Sequence, residues 1–318
     1  MAQPDSSTDT CLGAQTADQA ADLAEDRATE GRATESWLAL VIGNTRLHWG
    51  YFHQGSFSGD WHTPHLTSDI VMRLKHAGFQ AKGWQSERDW MGKLTPLERS
   101  ALPTAAVSLE NVWIASVVPT QSAIWLDCEE PAKIVERSHI PLSNLYSTLG
   151  IDRAINLLGA GKLNGWPALV IDAGTAITLT AGTDRSVYGG AILPGMRLQS
   201  EALTQKTAVL GNYMPAVDSP PSEIALPSRW ALSTESAIAS GLIYGITATV
   251  IDYLCAWWQQ FPTGKAWLTG GDAPLLQQYL QQRTPALSTR VQVERNLMFY
   301  GMSAYRENFY RENAISAH

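Results

Sequence analysis

Cysteine is scarce in this chain, and the few cysteines follow no recognisable pattern. Cys11, Cys128 and Cys255 are odd in number and lie far apart among 318 residues. A disulfide framework or a zinc cluster needs several cysteines at short, regular spacing. The sequence therefore predicts neither, and a reducing compartment, the cytoplasm, is the expected location.

Positive charge and long apolar runs are also scarce. The formal net charge is −7, and no stripe of lysine and arginine follows any segment, so the basic surface that binds nucleic acid is not expected. No run approaches the roughly 18 apolar residues of a membrane-spanning helix. The seven histidines are scattered and predict no metal role.

The first 36 residues lack the side chains that build a core. They contain no Ile, Val, Phe, Tyr or Trp, and they carry eight acids and only two bases. Such a segment cannot bury enough apolar surface to offset its ordering entropy. It also has neither the apolar centre of a signal peptide nor the basic, acid-poor composition of a transit peptide. We expect residues 1–36 to be a disordered acidic tail, which leaves the remaining chain with a net charge of −1.

The rest of the chain alternates between two hydrophobic patterns. Short apolar runs typical of buried strands are interrupted by longer segments with apolar residues at helical spacing. The clearest are strands at 37–42, 112–118 and 168–172 and helices at 151–164 and 234–260. This alternation predicts an α/β fold class that begins at Trp37.

An internal repeat lies at the ends of two of these strands. Gly43-Asn44-Thr45 and Asp172-Ala173-Gly174-Thr175 each follow a buried run and precede a returning strand, and their glycines are 131 residues apart. Two such hairpins, facing each other from two similar halves, would clamp a nucleotide. Thr269-Gly270-Gly271-Asp272 is a third glycine-rich strand end, which suits close backbone approach to a ligand.

Both hairpin turns allow two interpretations. Backbone N–H groups and polar side chains from Gly43 to Arg46 could hold phosphate oxygens, but a Gly-Asn pair is equally typical of an ordinary hairpin, which the local sequence favours. Asp172 could hold a cation beside phosphates or cap its own turn. Because a similar turn occurs earlier in the chain, at Gly43-Asn44-Thr45, the cation-binding interpretation of Asp172 is favoured.

Gly150-Ile151-Asp152-Arg153 opens a predicted helix. An Asp at a helix start is most often an N-cap, which the local sequence favours. Alternatively, Asp152 is a general base and Arg153 steers an anionic substrate. The two roles compete for one carboxylate. A separate segment at 189–195 contains three glycines that could line a ligand site. Considered by itself, this segment is more typical of a tight corner in the packing.

Together, these motifs resemble those of the type III pantothenate kinases, in the acetate and sugar kinase/heat-shock 70/actin superfamily. Each match alone is weak, but the set occurs in order over nearly all of residues 37–301. The matching segments are 42–46, 150–153, 172–176, 189–195, 206–210, 233–238 and 269–273.

The resemblance implies two ribonuclease-H-like (actin-like ATPase) domains with mixed sheets and a nucleotide cleft between them. Residues 37–150 would form the first domain and 151–318 the second, each with one phosphate loop. The implied reaction is ATP-dependent phosphorylation of pantothenate to 4′-phosphopantothenate, the first step of coenzyme A biosynthesis. The family works as homodimers in which the partner chain completes the pantothenate site.

The resemblance also assigns roles to individual residues. Asp152 matches the proton acceptor, Asp172 the ligand of a monovalent cation (K⁺ or NH₄⁺), and Thr175 an ATP contact, with Mg²⁺ arriving with the nucleotide. The matching substrate-binding residues are Gly150, Ile151, Asp152, Arg153 and Thr207. The first phosphate loop consists of Val41, Ile42, Gly43, Asn44, Thr45, Arg46, Leu47 and His48.

The chain departs from the family pattern at two positions. Val41 stands where the family usually has a metal-linked Asp, so either other groups hold magnesium through ATP and water, or activity is weak or lost. Tyr146 is the candidate for a substrate-facing Tyr, but it lies only four residues before Gly150. Two alternatives therefore stay open: a non-catalytic nucleotide-binding relative, and a kinase for another small hydroxy acid or sugar.

Overall fold

A computed structural model gives the fold of most of the chain. The acidic tail expected at 1–36 lies outside the described residues, apart from its last two positions. The described residues are 35–85, 91–127, 130–206 and 224–315.

The chain forms two compact units. Unit 1 comprises Met1–Ile134 together with Phe309–His318, and unit 2 comprises Val135–Asn308. The division falls before the boundary expected at residue 150, because the intervening segment joins the second sheet. Ser143 forms a parallel bridge with Ser186, and its amide donates to the carbonyl of Arg185 at 2.8 Å.

The sheet of unit 1 has five strands in the order β3-β2-β1-β4-β5. Strand β1 pairs antiparallel with β2 and parallel with β4. The strands are β1 Trp37–Ile42, β2 Leu47–His53, β3 Ser56–Thr63, β4 Val112–Ser116 and β5 Lys133–Ile134. The sequence analysis did not predict β3, since its buried side chains are only Trp61 and Thr63.

The sheet of unit 2 repeats this arrangement in the order β10-β9-β6-β7-β8. Strand β6 pairs antiparallel with β7 and parallel with β9, just as β1 does with its neighbours. The strands are β6 Ala168–Ala173, β7 Ala176–Thr183, β8 Ser186–Pro194, β9 Lys265–Thr269 and β10 Val291–Val293. Two mixed five-stranded sheets of one topology confirm the α/β class and the two ribonuclease-H-like domains.

Helices follow the strands in both units. The described α-helices are α1 Ser68–His76, α2 Ala81–Trp84, α3 Pro96–Ser100, α4 Pro119–Leu126, α5 Ile151–Asn164, α6 Met196–Lys206, α7 Thr234–Gln260, α8 Ala273–Arg283, α9 Pro285–Ser288 and α10 Leu297–Ile315. Local chemistry fixes several starts. The Ser233 side chain accepts from the amide of Ser236 at the start of α7, and Thr95 and Glu98 form a capping box at α3.

Aromatic rings fill the core of unit 1. Trp49 on β2 stacks on Trp61 of β3 with ring centroids 5.9 Å apart, and it meets Trp84 and Trp125 edge-on at 5.0 and 5.4 Å. All four rings are fully buried. Four of the twelve tryptophans therefore pack together in this core.

Helix α7 is long and apolar enough to cross a membrane by length and composition, with a mean hydropathy of 1.5 over 18 residues. This stretch was not predicted as a long apolar run from the sequence, because small and polar residues interrupt it. Half of that stretch is buried, and Ile243, Val250 and Leu254 belong to the core of unit 2. Burial of this kind is typical of a core helix.

Candidate active site

Asp152 lies in the first turn of α5 but does not cap it. The N-cap residue is Gly150, which has no side chain to cap with. Asp152 Oδ1 instead accepts from the backbone N–H of Arg153 at 2.8 Å, and a Cβ on Gly150 would lie 2.3 Å from that oxygen. One carboxylate oxygen of Asp152 therefore stabilises the first turn of α5. The other oxygen takes no part in that hydrogen bond, so a role at the helix start does not exclude a role as general base.

Arg153 is buried, with 8% of its surface exposed. Its Nε donates to Thr180 Oγ1 and its Nη2 to the carbonyl of Leu179, both at 2.9 Å, and Nη1 donates to the Tyr146 hydroxyl at 2.9 Å. These acceptors are neutral, and no salt bridge joins Arg153 to an acid in the part of the chain that the structure describes. A buried guanidinium without a carboxylate partner favours an anionic ligand.

Asp172 is the penultimate residue of strand β6 and is partly buried. Burial and, to a smaller extent, the negative charge of Asp152 raise the pKa of its carboxyl to about 6, and a hydrogen bond from Asn156 partly opposes this shift. That bond joins Asn156 Nδ2 to Asp172 Oδ2 at 3.0 Å. The two predicted acids are therefore close enough to interact, and a cation would favour the charged form of Asp172.

Backbone packs tightly around Asp172. Gly174 N–H donates to the carbonyl of Ala176, and Gly195 N–H donates to that of Thr175. Gly270 has φ +93°, and a Cβ there would lie 2.4 Å from Asp172 Oδ1. At Gly271, by contrast, a Cβ would meet nothing within 4 Å. In the third glycine-rich strand end, Gly270 therefore leaves room for the Asp172 carboxylate, whereas the space beside Gly271 is open.

The first predicted loop closes between β1 and β2 in unit 1. Gly43 N–H donates to the carbonyl of Arg46 at 3.0 Å, and the ring of His65 bonds the Gly43 carbonyl at 2.9 Å. Asn44, Thr45 and Arg46 are exposed. The turn therefore presents three polar side chains to solvent, which suits a phosphate loop and an ordinary hairpin alike.

Comparison with known proteins decides the family. The sequence profile described as type III pantothenate kinase matches residues 37–256. The chain belongs to the type III pantothenate kinase family. Like its relatives, it is a kinase, a phosphotransferase.

Curated relatives agree with this membership, and a solved structure shares the fold. A type III pantothenate kinase from Nostoc sp. is 41% identical over 84% of this chain and 92% of the relative. One from Synechocystis sp. is 36% identical over 84% and 89%. A Campylobacter jejuni structure described as a Baf family transcriptional activator has a TM-score of 0.52 at 17% identity, covering 86% of this chain and 99% of that one. At that identity, the structural likeness shows the fold alone.

Within the pantothenate kinase pattern, Tyr146 is the residue whose spacing departs. The structure nevertheless brings its hydroxyl to Arg153, and the ring is 44% exposed. Thr207, the other predicted substrate contact, lies outside the described residues. Sequence reasoning missed Asn156 and Thr180, although Asn156 lies four residues after Asp152 and so shares its helical face.

At Val41, where the kinase family usually has an Asp, the structure places a buried apolar side chain with 5% of its surface exposed. Its partner across the strands is His48. Burial, together with the charges of His62 and Arg46, lowers the pKa of His48 to about 4, so the imidazole is neutral at physiological pH. The strand end therefore carries no negative charge.

Of the two predicted phosphate loops, only the one that contains Asp172 has a carboxylate that could bind a metal ion. Residues 41–48 contain no carboxylate, so they do not fit as direct ligands of Mg²⁺. In the described ranges, no group of three or more His, Cys, Asp or Glu side chains could hold a metal ion. Asp172 offers a partly buried carboxylate that forms no salt bridge with any of the described residues, and oxygen donors of that kind suit a hard cation.

Proposed function

We propose that this kinase transfers the terminal phosphoryl group of ATP to the terminal hydroxyl of pantothenate, the first step of coenzyme A biosynthesis. The observation that carries the proposal is the adjacent pair Asp152 and Arg153. Among the described residues, Asp152 engages one carboxylate oxygen in a hydrogen bond, and Arg153 is a buried cation that donates to neutral acceptors.

Pantothenate suits Arg153 because it is an anion with amide and hydroxyl groups. A guanidinium has five N–H groups, and hydrogen bonds to protein orient it at all three nitrogens. Its remaining donors can bind a carboxylate. Gly150 to Arg153, Tyr146 and Thr207 would form the substrate site, which the partner chain of a homodimer completes.

Asp152 is proposed as the proton acceptor. Phosphoryl transfer depends mainly on positioning and charge neutralisation, with a base near the attacking hydroxyl. The bond from the Arg153 amide fixes the carboxylate at the start of α5. Its other oxygen can then take the proton of the substrate hydroxyl.

The nucleotide contacts are proposed for both loops. Residues 41–48 would bind phosphate oxygens through backbone N–H groups and the exposed side chains of the turn, and Thr175 would contact ATP. Mg²⁺ would arrive with the nucleotide. A potassium or ammonium ion at Asp172 would supply positive charge beside the phosphates. The protein is proposed to act in the cytoplasm.

The test is an assay with ATP and pantothenate, run in potassium chloride and in tetramethylammonium chloride. We expect 4′-phosphopantothenate, detected by mass spectrometry, and faster formation with potassium. Absence of product in both salts would contradict the proposal. Nucleotide binding without turnover would instead favour an accessory role, to which Val41 points, and a panel of small hydroxy acids and sugars would reveal a different acceptor.

A further inference from the structure

Asn156 on α5 is a buried amide that the proposed roles leave unused. Its surface is 2% exposed. Nδ2 donates to Asp172 Oδ2 at 3.0 Å, whereas Oδ1 is buried and has no hydrogen-bond partner among the described residues. A buried acceptor without a hydrogen-bond partner destabilises the folded protein, so this oxygen is suited to bind a group from outside the chain.

The orientation of the amide follows from its neighbour. Turning it over would place Oδ1 against Asp172 Oδ2, and two acceptors without a proton between them repel each other. Nδ2 therefore faces the carboxylate when Asp172 is ionised, and Oδ1 remains the unpaired atom. Because Asn156 is four residues after Asp152, both side chains project from one face of α5, which packs on β6 and β7.

We infer that Asn156 is a positioning residue for Asp172 and supplies Oδ1 as a second oxygen for the monovalent cation there. The inference rests on the cation site of the proposed function. Nδ2 holds one carboxylate oxygen, while Asp172 Oδ1 lies against Gly270, where a side chain would not fit. Carboxylate and amide carbonyl oxygens are ligands that such cations accept, and an ammonium ion would donate to both.

The test measures cation binding directly. Asn156→Leu keeps the approximate size of the side chain and removes both polar atoms, and Asn156→Ser is a smaller, polar second variant. The melting temperature is followed as potassium chloride replaces tetramethylammonium chloride at constant ionic strength, with a non-hydrolysable ATP analogue present. We expect the half-saturating potassium concentration to rise at least tenfold in both variants.

A second readout separates cation binding from general damage to the fold. Excess potassium should restore much of kcat in the Asn156 variants, while the KM for pantothenate stays within about twofold of the unaltered protein. Asn164→Leu is the matched control, because Asn164 lies at the other end of α5 and donates to Gln292 Oε1. Its potassium response should not change.

The outcomes distinguish this inference from the proposed function. If a folded Asn156 variant has a half-saturating potassium concentration within twofold of the unaltered protein, the inference is overturned. Should the Leu variant fail to fold, the Ser variant decides by the same criterion. If the unaltered protein makes 4′-phosphopantothenate but shows no potassium response, the cation site and this inference fall together, and the kinase assignment stands.

Discussion

Two carboxylates in unit 2 differ in what surrounds them. Asp152 lies at a helix start with one oxygen engaged by a backbone amide, whereas Asp172 is partly buried and accepts a hydrogen bond from an amide side chain. The first environment suits proton transfer at a substrate, and the second suits charge compensation by a bound cation.

Asp152→Asn tests the first of these roles. The amide keeps the size and can still accept from the Arg153 N–H, but it cannot take a proton. We expect kcat to fall by about 10² or more with little change in melting temperature. Asp184→Asn, at an exposed turn with φ 47° that Asn tolerates, is the control and should retain activity. A normal rate in Asp152→Asn would assign this carboxylate to helix stability alone.

His48 makes the stability of unit 1 depend on pH. Its pKa is about 4 in the folded protein and 6.5 when unfolded, so the unfolded state binds more protons between these values. The free energy of unfolding should therefore fall as pH drops from about 6.5 to 4, by about 3 kcal/mol for this group. Above pH 6.5 the effect is absent.

The measurement compares His48→Gln with the unaltered protein by melting temperature at pH 7.5, 5.5 and 4.5. The variant should gain relative stability as the pH falls. His76→Gln, an exposed histidine near the end of α1, should show no comparable trend. A difference between His48→Gln and the unaltered protein that stays constant over this range would contradict the shift.

At the scale of elements, β7 and β8 hold Arg153 in place from the sheet side. A Cβ at residue 190 would lie 2.1 Å from the Leu179 carbonyl and 2.5 Å from Arg153 Nη2, so Gly190 is required where the guanidinium crosses β8. The sequence analysis favoured a packing corner for this glycine segment. The contact shows that the corner packs against a residue of the candidate site.

Gly190→Ala should therefore affect both stability and substrate binding. Overpacking of this kind costs about 1–3 kcal/mol, and displacement of Arg153 should raise the KM for pantothenate more than it lowers kcat. Calorimetry and steady-state kinetics measure the two effects. Gly245→Ala in α7, where a Cβ meets nothing within 4 Å, should leave KM unchanged and stability equal or higher.

Whether a helix or strand could be predicted from the sequence depended on its length and on how much of it is buried. The long periodic helices α5 and α7 and the apolar strands β1 and β6 were predictable, because their patterns span most of each element. Strand β3 was not, since a half-exposed strand carries little apolar signal. The bond from Asn156 to Asp172 was not either, because it joins a helix to a strand through tertiary packing.

Over the whole molecule, the two five-stranded sheets share one topology. In the sequence, this duplication was recognisable only from the two similar glycine turns. The family profile begins at residue 37, as does β1. Deleting residues 1–34 should therefore leave kcat/KM for pantothenate within about twofold, measured in the same assay. A larger loss would assign the acidic tail a part in catalysis.

Helix α10 is shared between the two units, because its residues from Phe309 onward belong to unit 1. Phe309 and Tyr310 meet the ring of Trp113 on β4 edge-on, at 5.1 and 5.8 Å, and Tyr310 accepts from Lys133 at 3.1 Å. During synthesis, the ribosome makes the strands of unit 1 before these residues. Trp113 therefore lacks these two contacts until α10 has been made, and we expect a nascent chain without α10 to expose this ring to chaperones.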